Sequence, residues 1–426
     1  MQTPTASRTC LHLQRDFNAI ALIALLETVR ADAQAAILRP FEKQFPCSAI
    51  RLNGPGLLLM EDDPLPRSLA VAGGWGYIGR HFVDAAVALR IPVYVRDPGP
   101  IPTGIDQDRV RVIGTDEEFY GLPADFYHIG LHPRDRGAAL GRLADRLLQG
   151  DHFMVLNEKP MAAPESPGEC MELRRLVERA GMCMLFDFPE LFDPMTLRVR
   201  AFLRSFNEVR IDEMRMTRSK DREDPANPRN YKIMVPIQHQ ETVHCLAWVF
   251  TCLAETRGGL DGVWDQGVSV EGVSAPYHPP NPQAYPHPVD GRFEGSVRFG
   301  NSVVRLLTDF TAKAPRSKRR TVHGVGDGNP FVIEAEYLEG HKFLAIDGKD
   351  IGFAQDANVY QAVIRQGWQW YRHPNLAEAS LYLTPSFAHR SYLLSAMLWD
   401  ACHLGGPRSV DSLEAFWNYT PGFTTS

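Results

Sequence analysis

One stretch constrains this chain more than any other: Ser68-Leu-Ala-Val-Ala-Gly-Gly-Trp-Gly-Tyr-Ile-Gly79. Residues 69–72 are uniformly apolar and read as a buried strand, and residues 80–89 continue with helix formers and apolar positions at helical spacing. Between them Gly74, Gly76 and Gly79 spell G-x-G-x-x-G. Gly74 is expected to allow the tight turn out of the strand, Gly76 to let the backbone approach a pyrophosphate, and Gly79 to let the helix pack on the strand. The helix N-terminus offers unpaired N–H groups to phosphates, which adds Trp75, Tyr77 and Ile78 to the glycines as cofactor-binding candidates. A second strand, residues 92–96, ends at Asp97, 18 residues beyond Gly79. A dinucleotide fold places there the acid that holds the adenosine ribose hydroxyls. Asp97 favours NAD because it repels a 2′-phosphate; Arg96 beside it offers NADP a partner, so both cofactors stay open, with NAD ahead. The alternative is a structural glycine turn in some other α/β protein.

The remaining sequence divides around this loop. Residues 1–66 are expected to form a helical N-terminal extension and linker, with amphipathic helix over 11–38, a strand or extended arm at 56–60 and a linker at 61–66. The extension reads as a cap on the domain surface, or as an arm that packs on a second subunit or covers the cleft. Residues 67–190 alternate strands and helices, which predicts a Rossmann-type, doubly wound parallel sheet in an α/β fold. Residues 191–384 read as an α+β substrate and oligomerisation domain, and residues 385–426 as a C-terminal helix with its tail. Strands are expected over 207–217, 268–274, 291–299, 302–310, 321–325 and 331–337, with Gly300-Asn301 as a hairpin signal. The run Lys313-Ala-Pro-Arg-Ser-Lys-Arg-Arg320 is read as a solvated loop between strands, with phosphate binding as the minor alternative.

An apolar strand at 153–156 is followed by Asn157-Glu-Lys-Pro160, at the strand end where ligands of such sheets bind. Gly74-Trp-Gly-Tyr-Ile-Gly79, Gly150-Asp-His152 and Glu158-Lys159-Pro160 together resemble the Gfo/Idh/MocA oxidoreductases, the family of glucose–fructose oxidoreductase and inositol dehydrogenase. The resemblance covers roughly residues 67–400 as a layout. It implies that Lys159, with Glu158 before it, lies near nicotinamide and substrate, that a cis peptide often precedes the proline, and that a large, mostly antiparallel open sheet makes a dimer or tetramer. The family's T-P-N-x-x-H loop corresponds to His132-Pro133-Arg134-Asp135-Arg136-Gly137; the proline is kept, and His132 or Arg134 stands in for the altered positions. Pro189-Glu-Leu-Phe-Asp-Pro194 resembles the family's interdomain segment. The polar, Pro-rich residues 220–231 suit a loop over the substrate.

Residues 236–250 resemble the family helix that carries an aspartate four residues before a histidine. Here the histidine is His244 and the aspartate position holds Gln240. A separation of four puts both on one face of a regular helix, where Glu241 and His239 point elsewhere. His244 is read as an acid/base or substrate-binding residue, against a buried structural histidine, with Gln240 orienting it. His239, Glu241 and His244 lack metal-ligand spacing, so no metal is expected.

Charged residues make up 23% of the 426 positions and net charge is −6, which gives no electrostatic case for nucleic acid or an anionic membrane. Seven scattered cysteines without C-x-x-C and the lack of a secretory pattern suggest a cytoplasmic protein with free thiols. The glycine loop and the family resemblance together imply an NAD(P)-dependent oxidoreductase. Lys159, His244 and Gln240 would be catalytic, and hydride would pass between nicotinamide and a hydroxyl or carbonyl carbon of a small polar, sugar- or cyclitol-like molecule. Alternatives are an imine reductase of a biosynthetic pathway and a non-catalytic dinucleotide-binding sensor.

Overall fold

The computed structural model describes residues 64–313, 316–338 and 341–423. The expected helix at 11–38, the segment at 56–60, Cys10 and Cys47 lie outside the described residues.

Six short strands form a wholly parallel sheet: β1 (Leu69–Ala72), β2 (Val93–Arg96), β3 (Val110–Val112), β4 (Phe126–Ile129), β5 (Met154–Asn157) and β6 (Met184–Phe186). Their order, β3-β2-β1-β4-β5-β6, is that of a doubly wound dinucleotide-binding sheet. Strands β1, β4, β5 and β6 are buried at every position, as expected where helices cover both faces. The connecting helices are α1 (Tyr77–Ala88), α2 (Asp116–Tyr120), α3 (Pro133–Leu148) and α4 (Pro167–Arg179). The strand order reverses between β1 and β4, and a crevice opens there at the carboxyl ends.

After β6 the chain passes through a short turn at Pro189–Phe192 into α5 (Pro194–Arg204), whose N-terminus Asp193 caps by accepting from the Met195 N–H. A nine-stranded mixed sheet follows, ordered β14-β13-β12-β11-β7-β10-β9-β8-β15. Its strands are β7 (Val209–Ser219), β8 (Val268–Pro276), β9 (Asp290–Phe299), β10 (Ser302–Asp309), β11 (Ser317–Gly326), β12 (Asn329–Leu338), β13 (His341–Ile346), β14 (Lys349–Asp350) and β15 (Arg408–Val410). All neighbours are antiparallel except β7 and β10. Helix α6 (Val243–Thr256) lies against the inner face of this sheet, buried over most of its circumference. Helix α7 (Val359–Arg372) packs back on α1, and Gly367 in it leaves room for Met154 and Leu185 of the parallel sheet. After the short α8 (Ala377–Tyr382), α9 (Pro385–His403) returns to the parallel-sheet half, where Tyr392 donates to the Ala163 carbonyl at 2.9 Å. A last short helix, α10 (Leu413–Trp417), follows β15.

Two local features shift expected positions. In β7, Ile211 and Glu213 pair with consecutive residues of β11, so Asp212 is the extra residue of a bulge. The bulge moves the buried face from Ile211 onto Met214, Met216 and Arg218. Strand β11 begins at Ser317, so the second half of the basic run is strand, not the solvated loop expected. Lys318 and Arg320 face inward, and Arg320 is buried against Trp248 and Tyr337.

Candidate functional site

The glycine loop leaves β1 with a positive φ at Gly73 (74°), the residue before Gly74. Gly74 serves close packing instead: a Cβ there would stand 2.5 Å from Val95 Cγ1 on β2. A Cβ on Gly79 would overlap the carbonyl oxygen of Gly73, so the first turn of α1 can sit on the loop only without a side chain. Gly76 is the N-cap of α1. It has no side-chain cap, and no acidic residue lies in the first turn. The N–H groups around Tyr77 and Ile78 therefore face the crevice without a protein anion, an arrangement that fits a diphosphate.

Asp97 ties the loop together. Its Oδ2 accepts from the Trp75 N–H at 2.9 Å and its Oδ1 from the Gly99 N–H at 2.7 Å. Each oxygen keeps a lone pair for a ribose hydroxyl. Arg96 is held by Asp116 at 2.7 Å.

At the end of β4, His132 caps α3 with its ring, half-buried, and Pro133 fills the first helical position. Burial and then the charges of Arg136 and Arg134 keep His132 below its ordinary value, so the ring is neutral. Arg134 points away to Glu165 at 2.5 Å and does not reach toward β5. The residue of this loop that does is one the sequence reading passed over. Arg136 is buried, and its guanidinium donates to the carbonyls of Leu131 (2.9 Å), Glu158 (2.5 Å), Lys159 (3.3 Å) and Pro160. It thus clamps the Glu158-Lys159-Pro160 turn, whose Lys159–Pro160 peptide is cis. Glu158 turns inward to His128 at 3.1 Å and to Asp187. Burial and the Glu158 charge push the Asp187 carboxyl well above the usual range, so this pair shares a proton.

Lys159 points the other way, into the cleft between the two sheets. Its Nζ donates to the main-chain carbonyl of Gln240 at 2.6 Å, and burial lowers its pKa to about 8. Gln240 therefore meets Lys159 through its backbone. The expected regular helix is interrupted here: Gln238–Thr242 is one π turn leading into α6, with the Val243 N–H bonded to Gln238 O. A π turn holds more residues than an α turn and re-aims the side chains that follow. Glu241, expected to point elsewhere, is consequently buried in the site, where it pairs with Lys220 (2.6 Å) and Arg218. Burial raises a carboxyl, but the charges of Lys220, Arg218 and Lys159 outweigh it and hold Glu241 well below its ordinary value. Burial, reinforced by Lys159 and Arg218, holds His244 far below its own, so the imidazole is neutral. Its Nδ1 has no hydrogen-bond partner, and its ring meets Phe188 edge-on at 5.8 Å. His239 is buried against Tyr392.

The floor of the cleft was not legible in the sequence. Glu190, in the turn after β6, accepts from Arg218, Lys318 and Arg320, and these charges overcome burial to keep it ionised. The structure thus brings Lys159, the Gln240 carbonyl, Glu241 and His244 into one electrostatically coupled group. The glycine loop, Asp97 and His132 line the carboxyl edge of the parallel sheet. Among the described residues no helix is long and apolar enough to cross a membrane.

No protein-family model matches the chain, and no curated protein does. Solved structures do. A myo-inositol dehydrogenase from Corynebacterium glutamicum superposes with a TM-score of 0.57 at 13% identity, covering 81% of this chain and 99% of that one. GenD2 from gentamicin A biosynthesis, in complex with NAD, gives 0.57 at 11% identity over 82% and 97%. A levoglucosan dehydrogenase in complex with NADH and levoglucosan gives 0.59 at 13% identity over 80% and 99%. The chain shares their fold, which is the Gfo/Idh/MocA-type architecture that the motifs resembled.

Proposed function

We propose that the chain is an NAD-dependent dehydrogenase that interconverts a hydroxyl and a carbonyl on a small polyhydroxylated molecule. The observation that carries this reading is Lys159: a lysine with its pKa lowered to about 8, clamped at the carboxyl end of β5 and opening onto the cleft. A general acid–base group works best with a pKa near the working pH. The fold's dinucleotide-bound relatives supply the rest of the argument, and the uncapped, acid-free start of α1 fits the diphosphate.

In this reading Gly74, Trp75, Gly76, Tyr77, Ile78 and Gly79 receive the diphosphate, Asp97 the adenosine ribose, and His132, Pro133 and Glu158 border the nicotinamide. The bound cofactor would take a hydride from the carbinol carbon or return it. Lys159 handles the proton. As the neutral amine it accepts the hydroxyl proton during oxidation; as the ammonium it donates a proton to the carbonyl oxygen during reduction. The Gln240 carbonyl aims the amine, and Glu241 keeps its charge from rising further in energy when protonated. Neutral His244 offers its unpartnered Nδ1 to a second substrate hydroxyl. Asp97 and the engagement of Arg96 by Asp116 favour NAD over NADP.

Lys159→Ala tests the reading. NADH affinity is expected to stay near wild type, while turnover of polyols such as myo-inositol or levoglucosan falls by about 10²-fold or more. Undiminished turnover in the variant would refute the role given to Lys159.

A further inference from the structure

The inner face of the nine-stranded sheet carries two rows of cations beside the cleft. Arg218, Lys220 and Arg222 alternate along the end of β7 and the residues after it. Lys318 and Arg320 alternate along the start of β11, Arg316 stands exposed just before it, and Lys318 is the direct partner of Arg218 in the ladder. Two carboxylates answer four of these six cations: Glu190 takes Arg218, Lys318 and Arg320, and Glu241 takes Arg218 and Lys220. Besides the exposed Arg316, Arg222 is left over. Its Nε is buried with no partner, and its one side-chain bond, to Asn230 Oδ1, is 3.5 Å long. Burial outweighs the more distant charge of Glu241 and, with Arg229 and Arg316 nearby, lowers its pKa, against the usual behaviour of a paired arginine. Lys232, exposed and without a carboxylate partner, lies within electrostatic reach of Arg222 and of Lys159.

The segment that carries Arg222 and Lys232 is built to stay in place. Asp221 Oδ1 accepts from the N–H groups of Glu223 (2.9 Å) and Asp224 (3.1 Å). Asn230 donates to the Asp224 carbonyl at 2.9 Å. Tyr277 donates to the carbonyl of Arg222 at 2.7 Å, and Tyr285 to that of Lys232 at 3.2 Å. A guanidinium held in a rigid loop with a buried, unused N–H costs stability unless a ligand supplies the acceptor.

Resting on the dehydrogenase reading, we propose that the substrate is an acidic polyol whose carboxylate or phosphate docks on Arg222 and Lys232 while its reacting hydroxyl meets Lys159. A planar guanidinium with a free Nε edge suits two oxygens of such a group, and Lys232 adds a point charge. The basic residues around it raise the local concentration of anions in the cleft.

Calorimetric titration of the full chain, with and without NADH, tests this with three probes: inorganic phosphate, D-glucuronate and D-glucose. The expected result is binding of phosphate or glucuronate at least about tenfold tighter than glucose, as one or two charge-assisted bonds imply. Whichever of the two binds more tightly identifies the acidic group. Arg222→Ala is expected to weaken the anion about tenfold or more. Lys232→Ala, a change on an exposed side chain, is expected to weaken it less, and NADH affinity should stay within twofold in both. Anion binding no tighter than that of glucose, or undiminished in both variants, would overturn the proposal. Failure of NADH to bind, with anion binding intact, would overturn the dehydrogenase reading and leave the anion site standing.

Discussion

Replacing Lys159 by methionine should stabilise the protein while disabling it, and the gain should vanish at high pH. Lys159 falls from an ordinary value of 10.5 to about 8, chiefly through burial. That fall corresponds to a penalty of about 3 kcal/mol on the charged form. Below pH 8 the folded chain carries the charge and the whole penalty. Between pH 8 and 10.5 the folded chain has lost the proton while the unfolded chain keeps it, so wild-type stability rises with pH. Above 10.5 both states are neutral and the penalty is gone. Methionine fills similar volume without charge, but it leaves the Gln240 carbonyl without its 2.6 Å donor, a loss of about 1 kcal/mol. Lys159→Met should therefore gain about 1–2 kcal/mol at pH 7, or a few degrees in Tm. It should lose that advantage across pH 8–10.5 and fall slightly below wild type beyond. Thermal unfolding of both proteins from pH 6 to 11 measures this, and the other buried lysines cancel in the difference. A variant less stable than wild type at pH 7 by an amount independent of pH would refute the buried-charge account.

Three further outcomes follow from the same geometry. The rate of alcohol oxidation should climb with pH and level off above about 8, as Lys159 becomes the neutral amine that accepts the proton; reduction should show the opposite limb. Gly79→Ala should abolish NADH binding and lower Tm, because its Cβ overlaps the Gly73 carbonyl; unchanged NADH affinity would show that the loop does not seat the diphosphate. Asp97→Asn should weaken NADH by about tenfold and narrow the gap to NADPH, measured by paired titrations, since it exchanges one acceptor oxygen for an amide donor and removes the charge that repels a 2′-phosphate.

The parallel sheet was legible because its signals are local: an apolar run, glycines at fixed offsets and an acid at the end of the next strand. Lys159 was legible for the same reason, since Glu158-Lys159-Pro160 follows a strand whose carboxyl end must face the crevice. What escaped depends on contacts between distant residues. Arg136 reads as a surface helix residue until the turn at Glu158 folds over it, 22 positions away. Glu241 is misplaced by any regular helix, and only the π turn at Gln238–Thr242 brings it to Lys220 and Arg218. The bulge at Asp212 leaves only a faint mark in the β7 pattern, yet it decides that Arg218 faces inward. The late hairpins did carry a signal: Asp327-Gly328 and Asp347-Gly348 have positive φ at both positions and join β11 to β12 and β13 to β14. The basic run at 313–320 looked like solvated surface because its counter-charge, Glu190, lies 128 residues away from Lys318.

The central claim is that the cleft above β1 and β4 holds a nicotinamide dinucleotide, with NAD preferred. Titration of the purified protein with NADH and NADPH, read by energy transfer from tryptophan to the reduced nicotinamide, tests it most directly. Trp75 lies in the glycine loop and should contribute much of the signal. The account predicts saturable NADH binding, weaker NADPH binding, and a smaller transfer signal in Trp75→Phe. Absence of saturable binding by either cofactor would contradict it.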